Sequence, residues 1–109
     1  MKKIAYIITR NGSSELIENG ILKTIADGAH GADVIAIYFV EDGVYYLAKS
    51  NKLSGDISEV VYNQNVKVFA SKQSVRDRKL LPMLLEGVEI STFDSFYEIA
   101  KNADHIISI

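Results

Sequence analysis

The chain has 109 residues, 48% of them apolar, and a formal net charge of −2. That is enough for one domain with its own core, and it excludes a global basic field of the kind that holds nucleic acid. The absence of cysteine excludes disulfides, thiolate metal sites and a cysteine nucleophile, and it fits a reducing compartment. The opening MKKIAYIITRNG has the paired lysines of a signal peptide. Its apolar run stops at Ile8, however, and no small-residue cleavage site follows. No apolar run approaches the roughly 20 residues of a membrane-spanning helix. A cytoplasmic protein is expected, with neither membrane nor nucleic acid as a partner.

The first predicted element is a strand, IAYII, at residues 4–8. A helix follows over 14–27, where Ile17, Gly20, Ile21, Thr24 and Ile25 share one stripe. VIAIYFV at 34–40 reads as a second strand. Residues 42–49 predict a helix with Asp42 as its N-cap and Val44, Leu47 and Ala48 on one face. Residues 56–64 predict another, opened by a capping-box pair, Asp56 and Glu59. VKVFA at 66–70 is a third strand, and a small-residue corner, SKQS, leads from it into a charged helix. VEI at 88–90 is a fourth strand. From 92 to 103, Phe93, Phe96, Tyr97 and Ala100 fall at i, i+3, i+4 and i+7 of a helix. HIISI at 105–109 closes the chain as a fifth strand.

These strands are apolar on both faces and rich in β-branched residues, the pattern of a parallel sheet covered by helices on both sides. Alternation of strand and helix argues for an α/β fold with right-handed crossovers and one domain over 1–109. Strand order is not legible. In open α/β sheets ligands bind beyond the carboxyl ends of the strands, which singles out three loops: TRNGSS (9–14), EDGVY (41–45) and SKQS (71–74).

Each loop has a chemical reading and a plainer one. In the first, Arg10, Asn11, Ser13 and Ser14 stand at a helix start and could hold an anion; the plainer reading is a turn and a cap, since neither GxGxxG nor a P-loop lysine is present. In the second, Glu41 and Asp42 are adjacent carboxylates, but neighbours on an extended chain point apart, which disfavours a proton-sharing or metal-binding pair. Tyr45 and Tyr46 could line a pocket or an interface, or simply pack. In the third, Ser71 and Lys72 lie beside a run of cations, Lys67, Lys72, Arg76, Arg78 and Lys79. That run could meet an acidic partner or a phosphate, and is otherwise a solvated face.

A serine nucleophile at Ser71 or Ser74 needs a base. The two histidines, His30 and His105, are expected at the opposite ends of the strands, out of reach. They also make a poor metal site. Neither catalysis, nor a metal, nor another cofactor is expected from these residues. A small anionic ligand or nucleotide at the strand ends is the alternative function, with Arg10, Asn11, Ser13, Ser14, Asp42, Tyr45, Ser71 and Lys72 as its lining.

The opening IAYIIT, then VIAIYFVEDGVYYLAK, VKVFASKQSVRDR and LLEGVEISTFDSFYEIAKNADHIISI, together resemble the DsrE/DsrF-like proteins over nearly the whole chain. The order and spacing of these pieces carry the resemblance more than any one of them. It implies a three-layer α/β/α fold with a five-stranded parallel sheet. It also implies an intracellular sulfur-relay context, such as tRNA thiolation or sulfur oxidation. Assembly would be a homotrimer, a homohexamer or a complex of related subunits. Active members carry a persulfide-bearing cysteine just after the third strand, a place that falls here at about Ala70 or Ser71. Serine cannot take that role, because its pKa is far above a thiol's. The expectation is therefore a non-catalytic member acting as an oligomeric subunit. Tyr45, Tyr46, Tyr62 and Phe69 are the aromatics expected in excess of the core's needs, and hence at an interface.

Overall fold

The structure, a computed structural model, describes residues 1–11 and 14–109. Five parallel strands form one sheet in the order β4-β3-β2-β1-β5. They are β1 (Lys3–Ile8), β2 (Asp33–Phe39), β3 (Lys67–Ser71), β4 (Glu89–Ser91) and β5 (His105–Ser108). The chain steps outward from β1 to β4 and then returns past β1 to lay down β5. With right-handed crossovers, that reversal puts the last helix on the face opposite the others.

The first face carries the larger core. Ile8, Ile37 and Val68 from the sheet pack with Ile17, Ile21, Leu22, Ile25, Ile57 and Val60 from the covering helices. The first of these helices is not regular. A π-helical segment, Leu16–Leu22, runs into a short α1 (Lys23–Ala26). A wider turn moves the buried stripe to Ile17, Ile21, Leu22, Ile25 and Ala26, so residues five apart share a face. Gly20, expected on the stripe, is exposed instead.

Residues 41–47 are also not the expected α-helix. They form a 3₁₀ helix, Glu41–Leu47, and Ala48 leaves it to bridge Leu84 in antiparallel sense. The cause is close contact with β1. A Cβ on Gly43 would lie 2.1 Å from the Ile8 carbonyl oxygen. Only glycine permits this approach. Val40, not Asp42, occupies the cap position, and no side chain caps the helix. Helix α2 (Ser54–Asn63) begins earlier than expected, and its start is met by the Asn51 side chain, whose Oδ1 accepts from the Leu53 N–H at 2.9 Å. The expected Asp56–Glu59 box does not form; Glu59 instead accepts from Asn63 Nδ2 at 2.6 Å.

On the second face a single helix, α4 (Phe93–Ala100), packs on β2 and β4. Ala5 and Ala36 leave room beneath it, and Phe96 and Ala100 are completely buried with Tyr38 and Phe69. The Phe96 ring stacks on Tyr38 at 5.4 Å and meets Phe69 edge-on at 6.1 Å. Burying such a ring stabilises by about 2–3 kcal/mol. The other half of the expected stripe stays in water: Phe93 is 44% and Tyr97 46% exposed.

A polar trio, two members buried and the third exposed, ties the π-helical segment to the rest of the first face. Glu18 accepts from the Tyr46 hydroxyl at 3.4 Å and pairs with Lys52 at 2.9 Å. Burial, together with the charge and hydrogen bond of Glu18, pushes the Tyr46 phenol up to about 12.

Two predictions follow from this packing. Gly43→Ala is expected to destabilise the fold by about 3 kcal/mol or more, read from urea midpoints, because backbone and not a flexible side chain blocks the new methyl. A loss under about 1 kcal/mol would contradict the close approach. The second concerns alkali. An unfolded tyrosine ionises near 10, whereas the folded Tyr46 holds its proton to about 12. The stabilisation is therefore complete below pH 10 and lost as pH rises through that interval. Tyr46→Phe should flatten this alkaline fall without abolishing it, since burial also raises Tyr6.

Candidate functional site

The carboxyl ends of β1, β2 and β3 come together, and a chain of short hydrogen bonds joins two of them. β3 ends at Ser71, one residue later than expected, and α3 (Lys72–Asp77) starts at once. The Ser71 hydroxyl accepts from the Ser74 N–H at 3.2 Å, which makes Ser71 the N-cap of α3. The Ser74 hydroxyl in turn accepts from the Glu41 N–H at 2.8 Å. Both serines are buried, each 6% exposed. Glu41 itself has φ 54°, a left-handed turn that a non-glycine residue adopts only when its surroundings hold it there. The Ser74 hydroxyl is the group that holds it.

Asp42 continues the same connection outward. Its Oδ1 accepts from Arg78 Nε at 3.1 Å and Nη2 at 3.0 Å. The ends of β2 and β3 are thus linked twice, by Ser74–Glu41 inside and Arg78–Asp42 at the surface. Asp42 is 64% exposed, so the outer link adds at most about 0.5 kcal/mol.

The expected lining residues divide into three groups. Ser71 is consumed as a cap, and Ser14 does similar work, its hydroxyl accepting from the Ile17 N–H at 3.3 Å. Tyr45 is half-buried and packs against the first-face core. Arg10 and Asn11 are exposed on the β1 loop. Ser13 lies outside the described residues. The side chain of Lys72 lines a different depression, with Val75, Arg76, Lys79, Leu81, Pro82 and Ile90. Two further cavities, of about 470 Å³ and 130 Å³, lie around His30 and around Asn65 to Phe69. None of the three includes Arg10, Asn11 or Ser14.

Among the described residues, neither histidine stands at this corner. His30 sits below the other ends of the strands, its Nε2 2.8 Å from the Tyr6 hydroxyl, and burial lowers its pKa. His105 begins β5 opposite Ile4. Among the described residues no group of three or more His, Cys, Asp or Glu is placed to hold a metal ion. No helix among them is long and apolar enough to cross a membrane.

Sequence reasoning weighed Ser74 only as a nucleophile and Arg78 only as one of a run of cations, and missed the bonds that each makes to the 41–42 turn. The S-x-x-S spacing of Ser71 and Ser74 is a cap signal and was readable. The Arg78–Asp42 pair spans 36 positions and had no local signal. Ser71→Ala should lower stability by about 1 kcal/mol. Ser74→Ala should cost about 1–2 kcal/mol, because it leaves the Glu41 N–H without its acceptor. Urea unfolding measures both, and two neutral substitutions would contradict a structural corner.

The fold and this corner can be set against known proteins. The YchN protein of E. coli superposes with a TM-score of 0.75 at 23% identity, covering all of both chains. A protein of unknown function from Methanobacterium thermoautotrophicum gives 0.75 at 18% identity over 98% of this chain and 99% of the other. A conserved protein of unknown function from Bacteroides thetaiotaomicron gives 0.77 at 15% identity over 99% and 95%. At these identities the likeness concerns the fold alone. Comparison with curated proteins returned no match. The DsrE/DsrF-like family model matches residues 2–109, and with its parallel five-stranded sheet the chain belongs to that family.

Proposed function

We propose that this chain is a non-catalytic DsrE/DsrF-like protein, related to intracellular sulfur-relay proteins, that works as a subunit of an oligomer. The observation that carries the reading is the state of the β3–α3 corner. The resemblance places a persulfide cysteine there. This chain has no cysteine, Ala70 is fully buried in the first-face core, and Ser71 spends its hydroxyl on capping α3. A corner that fixes backbone in this way supports a subunit that contributes surface, not chemistry.

The surface in question is the second face and its β5 edge. The interface aromatics expected from sequence are partly displaced: Tyr46 and Phe69 are 1% and 2% exposed and belong to the core, whereas Tyr62 is 61% exposed. In their place Phe93 and Tyr97 stand open on α4, their rings stacked at 6.0 Å. On the edge strand β5, which neighbours β1, Ile106 is 41% exposed beside Ala5 on the second face and Ile107 37% exposed beside Tyr6 on the first. An apolar surface of this kind marks an interface, and an unpaired strand edge invites one. A second copy of this chain, or a related subunit of the same fold, is the occupant this reading requires.

Sedimentation velocity on the purified protein tests it. The wild type should run as a trimer or hexamer at micromolar concentration, and Phe93→Ser with Tyr97→Ser should shift it toward monomer while leaving it folded, since both side chains are nearly half exposed and Phe96, which fills the core beneath α4, is kept. A wild-type protein that stays monomeric alone and when mixed with a cysteine-bearing relative would overturn the proposal.

A further inference from the structure

The depression beside α3 has a composition unlike the rest of the surface. Val75, Leu81, Pro82 and Ile90 form its apolar floor, and Lys72, Arg76 and Lys79 stand around it, enclosing about 460 Å³. Leu81 is 63% exposed and Ile90 36%. Lys72, Val75, Arg76 and Lys79 follow one another at i, i+3, i+4 and i+7, so one side of α3 and its C-terminal turn is aimed at this place. None of the three cations has an ion pair or a side-chain hydrogen bond among the described residues. The acids nearest in sequence face elsewhere. Asp77 is off the stripe of α3. Glu89 precedes Ile90 on β4 and so points to the opposite face of the sheet.

The way α3 ends strengthens the case. The Leu80 N–H bonds to the Val75 carbonyl at 3.0 Å and the Lys79 N–H to that of Arg76 at 3.1 Å. This is a Schellman ending, and its left-handed residue is usually glycine. Here it is Lys79, with φ 54°. A side chain at that position costs about 1 kcal/mol relative to glycine. The turn brings Leu81 and Pro82 back toward Ile90 and sets the Lys79 side chain beside them.

From the apolar floor and its unpaired cationic rim we infer that this groove binds an amphiphilic anion, a hydrocarbon or aromatic tail bearing a single carboxylate or comparable acidic head. The tail covers Val75, Leu81, Pro82 and Ile90, and the head lies among Lys72, Arg76 and Lys79. The volume is within the range of small-molecule sites. The inference is independent of the oligomer reading, since the groove lies on the first-face side of the sheet, with Ile90 paired beside Ala70.

The test uses sodium decanoate below its micellar range, titrated calorimetrically into the intact protein. Decanol and inorganic phosphate serve as controls for tail and charge alone. Decanoate should bind at one site, and neither control should match it. Lys72→Gln with Arg76→Gln should weaken binding about tenfold. Lys79→Gly separates binding from folding, because it should raise the melting temperature yet weaken decanoate binding about threefold. Three results would each overturn the inference. They are no decanoate binding at millimolar concentration, binding unchanged in the Lys72/Arg76 variant, and Val75 and Ile90 methyl signals that move with protein concentration alone. The last would mean that another copy of the chain covers the groove.

Discussion

The second face of the sheet rests on one aromatic side chain. Phe96 reaches complete burial only because Ala5 and Ala36 present no bulk beneath it, and because Tyr38 and Phe69 supply rings on either side. A sheet apolar on both faces needs cover on both. Here the π-helical segment with α1, the 3₁₀ helix at 41–47, α2 and α3 all contribute to the first face, and one eight-residue helix covers the second. The reversal that places β5 beside β1 is what carries α4 across. It also sets the limit of intramolecular cover: Phe93 and Tyr97 on the helix and Ile106 and Ile107 on the outer strand remain in water.

The strand-end corner follows from the same economy of parts. In an open α/β sheet this is the usual place for a ligand. In this chain Ser71, Ser74 and Glu41 form a hydrogen-bonded connection that keeps the ends of β2 and β3 in fixed relation. Gly43 adds a second constraint by lying directly against the Ile8 carbonyl. The site of chemistry implied by the family resemblance is thereby a rigid joint. Cationic character runs from Lys72 along the side of α3 that faces Leu81, Pro82 and Ile90.

Much of this architecture was legible because it depends on local pattern. Five apolar β-branched runs marked the strands to within one residue at most of their ends, and their doubly apolar character marked the sheet as parallel. The misreadings occurred where long-range contact overrides local preference. Nothing near residue 43 announces that Ile8 will press on it, so 41–47 read as an α-helix and folds as a 3₁₀ helix. Asp42 looks like a cap and serves Arg78, 36 positions away. The 14–27 stripe was assumed to repeat at 3.6 residues, whereas the π-helical turn shifts burial from Gly20 to Leu22. The Phe93–Phe96–Tyr97–Ala100 stripe was read from its helical spacing, and periodicity alone could not show that the sheet beneath α4 buries only Phe96 and Ala100 of it.

The account stands or falls on whether the second face is covered by another subunit. Hydrogen exchange on the intact protein, followed by mass spectrometry at low and high protein concentration, tests this directly. Protection should rise with concentration in α4 and β5, and remain constant in α1, α2 and the Ser71–Ser74 corner. Exchange in α4 and β5 that is independent of concentration, with or without a cysteine-bearing relative present, would contradict the account.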